Sequence, residues 1–166
     1  MSPFFLLLIN LSVLAYGLLA GVFLAFSDFI MRSLSRTGET GGVAAMQAIN
    51  REVFRWVFMA LFLGMSPVSL LIAGYAAMTL GSAGGTPIAL AGLVYLVGCF
   101  GVTVFFNVPM NEALAGMDPS SGTARAYWNE TYLPRWTFWN SLRATACALS
   151  AVLLLFGLSQ MAGADG

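Results

Sequence analysis

Histidine and lysine are absent from this 166-residue chain, and charge of either sign is scarce. Seven arginines and seven acidic residues make up 8% of the sequence, where soluble domains carry about a quarter. Without histidine, haem, histidine-ligated copper or iron and most catalytic zinc sites lose their usual ligand. Carboxylate sites for magnesium or manganese stay open. The net charge is zero, so nothing electrostatic favours nucleic acid as a partner. The two cysteines, Cys99 and Cys147, both lie in apolar sequence. They are expected to be buried, reduced thiols that pack as small hydrophobes, with no disulfide framework.

What the chain does have is long apolar runs. Phe4–Phe26, Trp56–Leu80, Ile88–Phe106 and Ala144–Met161 contain no Asp, Glu or Arg. Each is close to the ~20 residues that a helix needs to cross about 30 Å of hydrocarbon. A backbone in lipid must satisfy its own hydrogen bonds, so these runs are expected to span as helices. The predicted fold is all-α: a polytopic membrane four-helix bundle with short cytoplasmic helical segments, one domain over residues 1–166. The first run has no basic flank and exceeds the length of a signal-peptide core, which predicts a retained first helix.

All seven arginines fall in two long connections, Asp28–Arg55 and Asn107–Arg143. The positive-inside rule places both connections in the cytoplasm and both termini outside. The expected location is a bacterial inner membrane. Gly81–Pro87 (GSAGGTP) reads as a turn between the second and third spans. A Gly-rich turn at Thr37–Gly42 should precede a helix, Val43–Arg55, that leads into the second span. Pro109 should restart or kink the third helix, with a loop at Met117–Gly122. A short helix from Thr123 to about Tyr132 should end before Pro134, and the fourth helix should begin near Arg135. The tail from Ala162 to Gly166 should fray.

Three groups of polar residues are candidates for chemistry. Gly17, Gly21, Asp28 and Arg32 fall on one narrow arc of the first helix. The glycine pair allows a close helix approach, so this face is predicted to point into the bundle and to end in an Asp28–Arg32 pair. That pair is either a helix-terminal ion pair or a carboxylate at a cavity mouth. Asn107 and Asn111, four apart, either fix packing between helices or present two amides to a ligand. The densest group is Tyr127–Arg143, YWNETYLPRWTFWNSLR. It contains Trp128, Tyr132, Trp136, Trp139, Asn140 and Arg143. Trp136, Trp139, Asn140 and Arg143 share about 100° of helix arc. Such residues can form an aromatic belt with a snorkelling arginine. An asparagine facing lipid is expensive, however, which predicts an inward stripe suited to a flat aromatic anion. Arg51 and Arg55, with Asn50 and Glu52, approach the same end, where Asp28, Glu52, Glu112 and Glu130 are available as partners for a salt-bridge network capping the bundle. Asn10 is expected to make a packing hydrogen bond.

The stretches AGVFLAFSDFIMRSL, MQAINREVFR, FFNVPMNEALA and YWNETYLPRWTFWNSLR resemble a family of small four-helix membrane proteins that includes the anthrone oxygenases. The resemblance runs from about Leu14 to Leu155. Its most specific part is N-x-P-x-N followed by W-x-x-W-N-x-x-R: Asn107, Pro109, Asn111, Trp136, Trp139, Asn140 and Arg143. It implies oxidation of an anthrone to an anthraquinone by O₂ without a cofactor; the expected partners are the lipid bilayer and a hydrophobic aromatic small molecule. A base, an apolar pocket and positive charge near the developing anion would be needed. Asp28 or Glu112, tuned by desolvation, would be the base. Arg143, with Asn107, Asn111 and Asn140, would stabilise the anion and oxygen. Trp136 and Trp139, with Trp128 and Tyr132 beside them, would hold the ring. Gly17, Gly21, Arg32, Arg51 and Arg55 would be structural, and the Gly17–Gly21 face could serve a homo-oligomer. The alternative is a non-enzymatic membrane protein: a binding module, an accessory subunit or a transporter. A transporter would need polar or broken helix near mid-membrane, where Pro67 between Ser66 and Ser69 is the one candidate.

Overall fold

A computed structural model describes residues 2–38, 40–78 and 81–164, with the backbone alone at Trp56. Five helical runs account for nearly all of it: α1 (Pro3–Leu34), α2 (Gly41–Glu52), α3 (Trp56–Ala77), α4 (Gly85–Ala115) and α5 (Gly122–Ala164). α1, α3, α4 and α5 are long and apolar enough to cross a membrane. The chain is an all-α integral membrane protein with four such helices and the shorter α2. The expected end of the second span at Leu80, and the tail beyond Ala164, lie outside the described residues.

α5 packs along both α1 and α4, and α3 packs on α4. The contact between α1 and α3 that closes the ring is lighter. α1 begins with Ser2 as N-cap, its Oγ accepting from Phe5 N at 3.2 Å, and with Pro3 in the first turn. α5 begins with Ser121, whose Oγ accepts from Ala124 N at 3.1 Å. These are the satisfied helix starts that the capping residues encode. The α3–α4 turn has Gly81 and Gly84 at positive φ, in the predicted GSAGGTP segment. At Gly84 a side chain would also collide with the carbonyl of Gly157.

The expected boundary at Pro134 is absent, and of the two outcomes allowed at Pro109 the helix does not restart. α4 runs through Pro109 and α5 through Pro134 as continuous helix. In each case a π-helical turn, Thr103–Asn107 or Trp128–Tyr132, ends just before the proline. Val108 N–H bonds Thr103 O, and Leu133 N–H bonds Trp128 O. The hydrogen-bond register therefore slips where proline has no N–H to give, and the helix survives. Conversely, α2 does not run into α3. It stops at Glu52, and Arg55 adopts an extended conformation before Trp56.

The glycine face of α1 is also corrected. The buried stripe is Ile9, Ser12, Tyr16, Leu19 and Phe23. Gly17, Gly21, Asp28 and Arg32 lie on the opposite, exposed side, and a side chain added at Gly17 or Gly21 would meet nothing within 4 Å. Large side chains at helical spacing outcompete the small pair for the interior. Asp28 and Arg32 do not pair; the ion pair near this end is Arg55–Glu52, on the surface.

Two buried clusters follow. One fills the spans and includes Tyr16, Phe62, Ile72, Tyr95, Cys99, Cys147 and Leu154. Both cysteines are free and buried. Around Pro67, Tyr16 OH and Ser69 Oγ are 2.7 Å apart, Ser69 Oγ donates to Met65 O, and Tyr95 OH donates to Phe62 O at 2.7 Å. The polar mid-span residues Ser69, Tyr16 and Tyr95 are thus engaged in packing. Asn10 bonds its own helix at Leu6 O and is exposed. The second cluster, with Met31, Val43, Met46, Leu114, Ala124, Trp128, Tyr132 and Trp136, lies at the arginine-bearing end. It is present because α5 is 43 residues long, about 65 Å of rise, roughly twice the hydrocarbon thickness.

Candidate functional site

Between these two clusters is a cavity of about 890 Å³, walled by α1, α2, α3, α4 and α5. Apolar rings from Phe23, Phe26, Phe58, Phe62, Phe100 and Trp136 make most of its surface, and Arg143, Asn140, Thr103, Asn111, Glu112, Gln47, Asn50 and Arg51 supply its polar groups. Val22, Leu63 and Val104 at its margin are 40%, 52% and 43% exposed. The cavity therefore reaches the surface of the bundle along apolar edges. All four π-helical turns among the described residues lie on the helices that wall it: Phe26–Ile30, Leu96–Gly101, Thr103–Asn107 and Trp128–Tyr132. Such turns widen a helix locally and recur at functional sites.

Arg143 is the centre of the polar set and is 6% exposed. Its guanidinium carbon stands 4.4 Å from the Phe23 ring centroid and 5.3 Å from that of Trp136. Nη2 donates to Asn140 Oδ1 at 2.7 Å, and Nη1 to Thr103 Oγ1 at 3.3 Å. Nε is buried without a hydrogen-bond partner. Among the described residues no carboxylate pairs with Arg143. A buried cation held by neutral dipoles and ring faces alone is incompletely compensated. An anion in the adjoining cavity would be its natural complement. Asn140 orients this cation: its Nδ2 donates to Phe23 O at 2.6 Å and Ser27 Oγ at 2.7 Å, leaving Oδ1 for the guanidinium.

Asn111 is fixed just as firmly. Its Oδ1 accepts from Tyr132 OH at 2.7 Å and from Trp136 Nε1 at 2.8 Å. Trp128, Tyr132 and Trp136 stack one turn apart, with centroids 5.4 and 6.0 Å from one to the next. Trp136 forms cavity wall, whereas Trp128 and Tyr132 are buried behind it. Asn107 is buried and donates to Trp136 O at 3.3 Å rather than lining the cavity. α2 is docked by Gln47, which donates to Leu114 O at 2.8 Å and Met117 O at 2.9 Å.

The structure therefore brings Arg143, Asn140, Asn111, Trp136, Glu112 and Arg51 to one cavity. Glu112 is exposed at the rim. Asp28 is on the outer face of α1, away from the cavity. Trp139, expected on the inward stripe, stacks instead on Phe106 at 3.7 Å beside exposed Phe138. It sits at the edge of the arc that Trp136 and Arg143 define, and the edge faces outward. Arg32 and Arg55 are on the surface. Thr103, Phe23, Ser27 and Gln47 were not singled out from sequence. Each acts through a contact between helices far apart in the chain. Among the described residues no three of Cys, Asp and Glu gather as a metal-binding group.

Fold and site together define a four-span membrane protein with a largely apolar cavity and a buried arginine lining it. A family model for anthrone oxygenase matches residues 51–153, well over half of the chain, and the protein belongs to that family. No curated protein and no solved structure matches it. The matched segment contains Asn111, Glu112, Trp136, Asn140 and Arg143 and leaves Asp28 outside.

Proposed function

We propose that the protein is a membrane oxygenase that uses O₂ to oxidise a flat, hydrophobic, weakly acidic aromatic molecule, an anthrone or a similar phenol. The observation that carries this reading is Arg143: buried, unpaired with any described carboxylate, and facing an apolar cavity of about 890 Å³. A fused-ring substrate would lie against Trp136 and Phe23 with its oxygen toward the guanidinium. Positive charge held there in a dry site favours the ionised form, which is what an uncharged ring system needs before it can react with O₂. Glu112, at the rim, is the base that accepts the ring proton. The resulting carbanion gives one electron to O₂, and the radical pair joins to form a C–O bond. The peroxide takes up a proton to give a hydroperoxide, which loses water as its remaining C–H bond and its O–O bond break and the carbonyl forms. One CH₂ and one O₂ thus become one carbonyl and one water, and no further reductant is required. With its arginines on the cytoplasmic side, as the positive-inside rule favours, the cavity would face the cytoplasm of a bacterial inner membrane.

A second reading, a binding module without catalysis, is favoured by one observation. Neither candidate base, Asp28 or Glu112, is buried inside the cavity. Oxygen uptake by detergent-purified protein with an anthrone separates the two. Uptake and quinone formation that Arg143→Ala removes would support the oxygenase. Uptake no faster than the spontaneous background, with binding retained, would support the module.

A further inference from the structure

The cavity has a second polar pole, and its chemistry differs from the first. On α5, Trp136 and Arg143 are seven residues apart, about 10 Å of helix rise. At the Arg143 end the protein offers a ligand a buried cation. At the other end, Asn111 has its oxygen occupied twice, by Tyr132 OH and Trp136 Nε1. Its Nδ2 is consequently held in one orientation, and it donates to no described residue. Asn50 and Gln47 line the same end. Their amide nitrogens are engaged, with Tyr132 OH and with the Leu114 and Met117 carbonyls. Their oxygens accept from no described residue. One fixed donor and two free acceptors, on the neutral amides of Asn111, Asn50 and Gln47, are offered at this end, with the charges of Glu112 and Arg51 at its rim and margin. A hydroxyl, which both accepts and donates, satisfies that set; a second anion has no cation at this pole except Arg51 at the margin.

We infer that Asn111 is a specificity-determining residue: the ligand is a rigid planar phenol with an acidic oxygen at Arg143 and a neutral hydroxyl at its far end, read by Asn111. The inference rests on the cavity being the substrate site, as proposed above. The fixed amide gives selectivity because an analogue lacking the far hydroxyl leaves a desolvated donor unpaired. Tyr132 and Trp136 act as positioning residues, clamping the amide without touching the ligand's far oxygen.

Equilibrium dialysis of the detergent-purified full chain tests this with two probes: anthraflavic acid, a three-ring quinone with a phenol at each end, and its analogue lacking one of the two phenols. The native protein should hold the two-ended probe at least about tenfold more tightly. Asn111→Asp keeps an oxygen for Tyr132 and Trp136 but removes the donor, and should bring the ratio close to one. Equal binding of both probes by the native protein overturns the inference, and so does a ratio that survives Asn111→Asp. In those cases Arg143-dependent oxygen uptake would still stand. If neither probe binds, the cavity itself is not the substrate site, and both readings fall.

Discussion

The two ends of this bundle are built from similar apolar sequence yet do opposite things. Toward the uncharged end the helices close on small residues. A side chain at Gly157 would come within 2.5 Å of Ile88, and one at Gly92 would strike the Ser69 carbonyl. The remaining space there is a groove of about 560 Å³ whose lining carries no charged residue. Toward the arginine-bearing end, π-helical turns and stacked aromatics hold the helices apart. The larger cavity that results is floored by a buried cation. Hydropathy alone cannot separate the halves. Small residues in register make a seal, whereas register slips and polar networks make a site.

Removing the cation should erase the difference most completely. Arg143→Ala is expected to lower oxygen uptake with an anthrone by about a hundredfold or more, the usual cost of losing a preorganised charge at a developing anion. Glu112→Gln should lower it by a similar order if the rim carboxylate takes the proton. Oxygen-electrode rates for the two variants, beside the native chain, check both. An unchanged Arg143→Ala rate would make the two ends functionally alike.

The next largest effect belongs to the sealed half. Gly92→Leu pushes a side chain into the α3 backbone, which cannot give way, and overpacking of this kind costs about 1–3 kcal/mol. Gly17→Leu places the same group on the open outer face, where nothing is within 4 Å. Thermal unfolding in detergent should show a lower Tm for the first and no loss for the second. A destabilised Gly17→Leu would instead reveal a second copy of the chain packed on that face.

That pair of glycines illustrates what the sequence can and cannot tell. The four spans were legible, because uncharged runs of this length have one stable outcome in lipid. So was the Trp136–Asn140–Arg143 stripe, because an asparagine and an arginine on one helical face need an interior. The facing of α1 was not, since Gly17 and Gly21 signal close approach only if no larger stripe competes, and Tyr16, Leu19 and Phe23 do. Helix continuity at Pro134 was hidden too, and at Pro109 was left open, for a proline reads as a break unless a π-helical turn absorbs its missing donor. The polar pole at Asn50 and Gln47 depends on where α2 docks, and that docking uses carbonyls of Leu114 and Met117 nearly seventy residues away.

A smaller effect should follow from loosening the clamp. Tyr132→Phe removes one of the two donors to Asn111 Oδ1 while keeping the ring stacked between Trp128 and Trp136. One neutral hydrogen bond is worth about 1 kcal/mol, so binding of a two-ended phenol should weaken severalfold with little change in Tm. A loss as deep as that of Arg143→Ala would mean that Tyr132 touches the ligand directly.

The smallest expected change tests the border of the site. Asp28 lies in the π-helical turn Phe26–Ile30, within two residues of the cavity-lining Phe26, yet its side chain is on the lipid-facing or headgroup side of α1. Sequence proximity argues for a role in proton removal; geometry argues against it, because a general base must come within hydrogen-bond reach of the proton it takes. Asp28→Asn should therefore leave oxygen uptake within about twofold of native, well under the effect ordinarily seen when a general base is removed. Measured beside Glu112→Gln, the same assay decides which carboxylate belongs to the arginine-bearing cavity. A large loss in Asp28→Asn alone would require α1 to rotate its outer face inward when substrate binds, and would dissolve the distinction between the sealed and open sides of that helix.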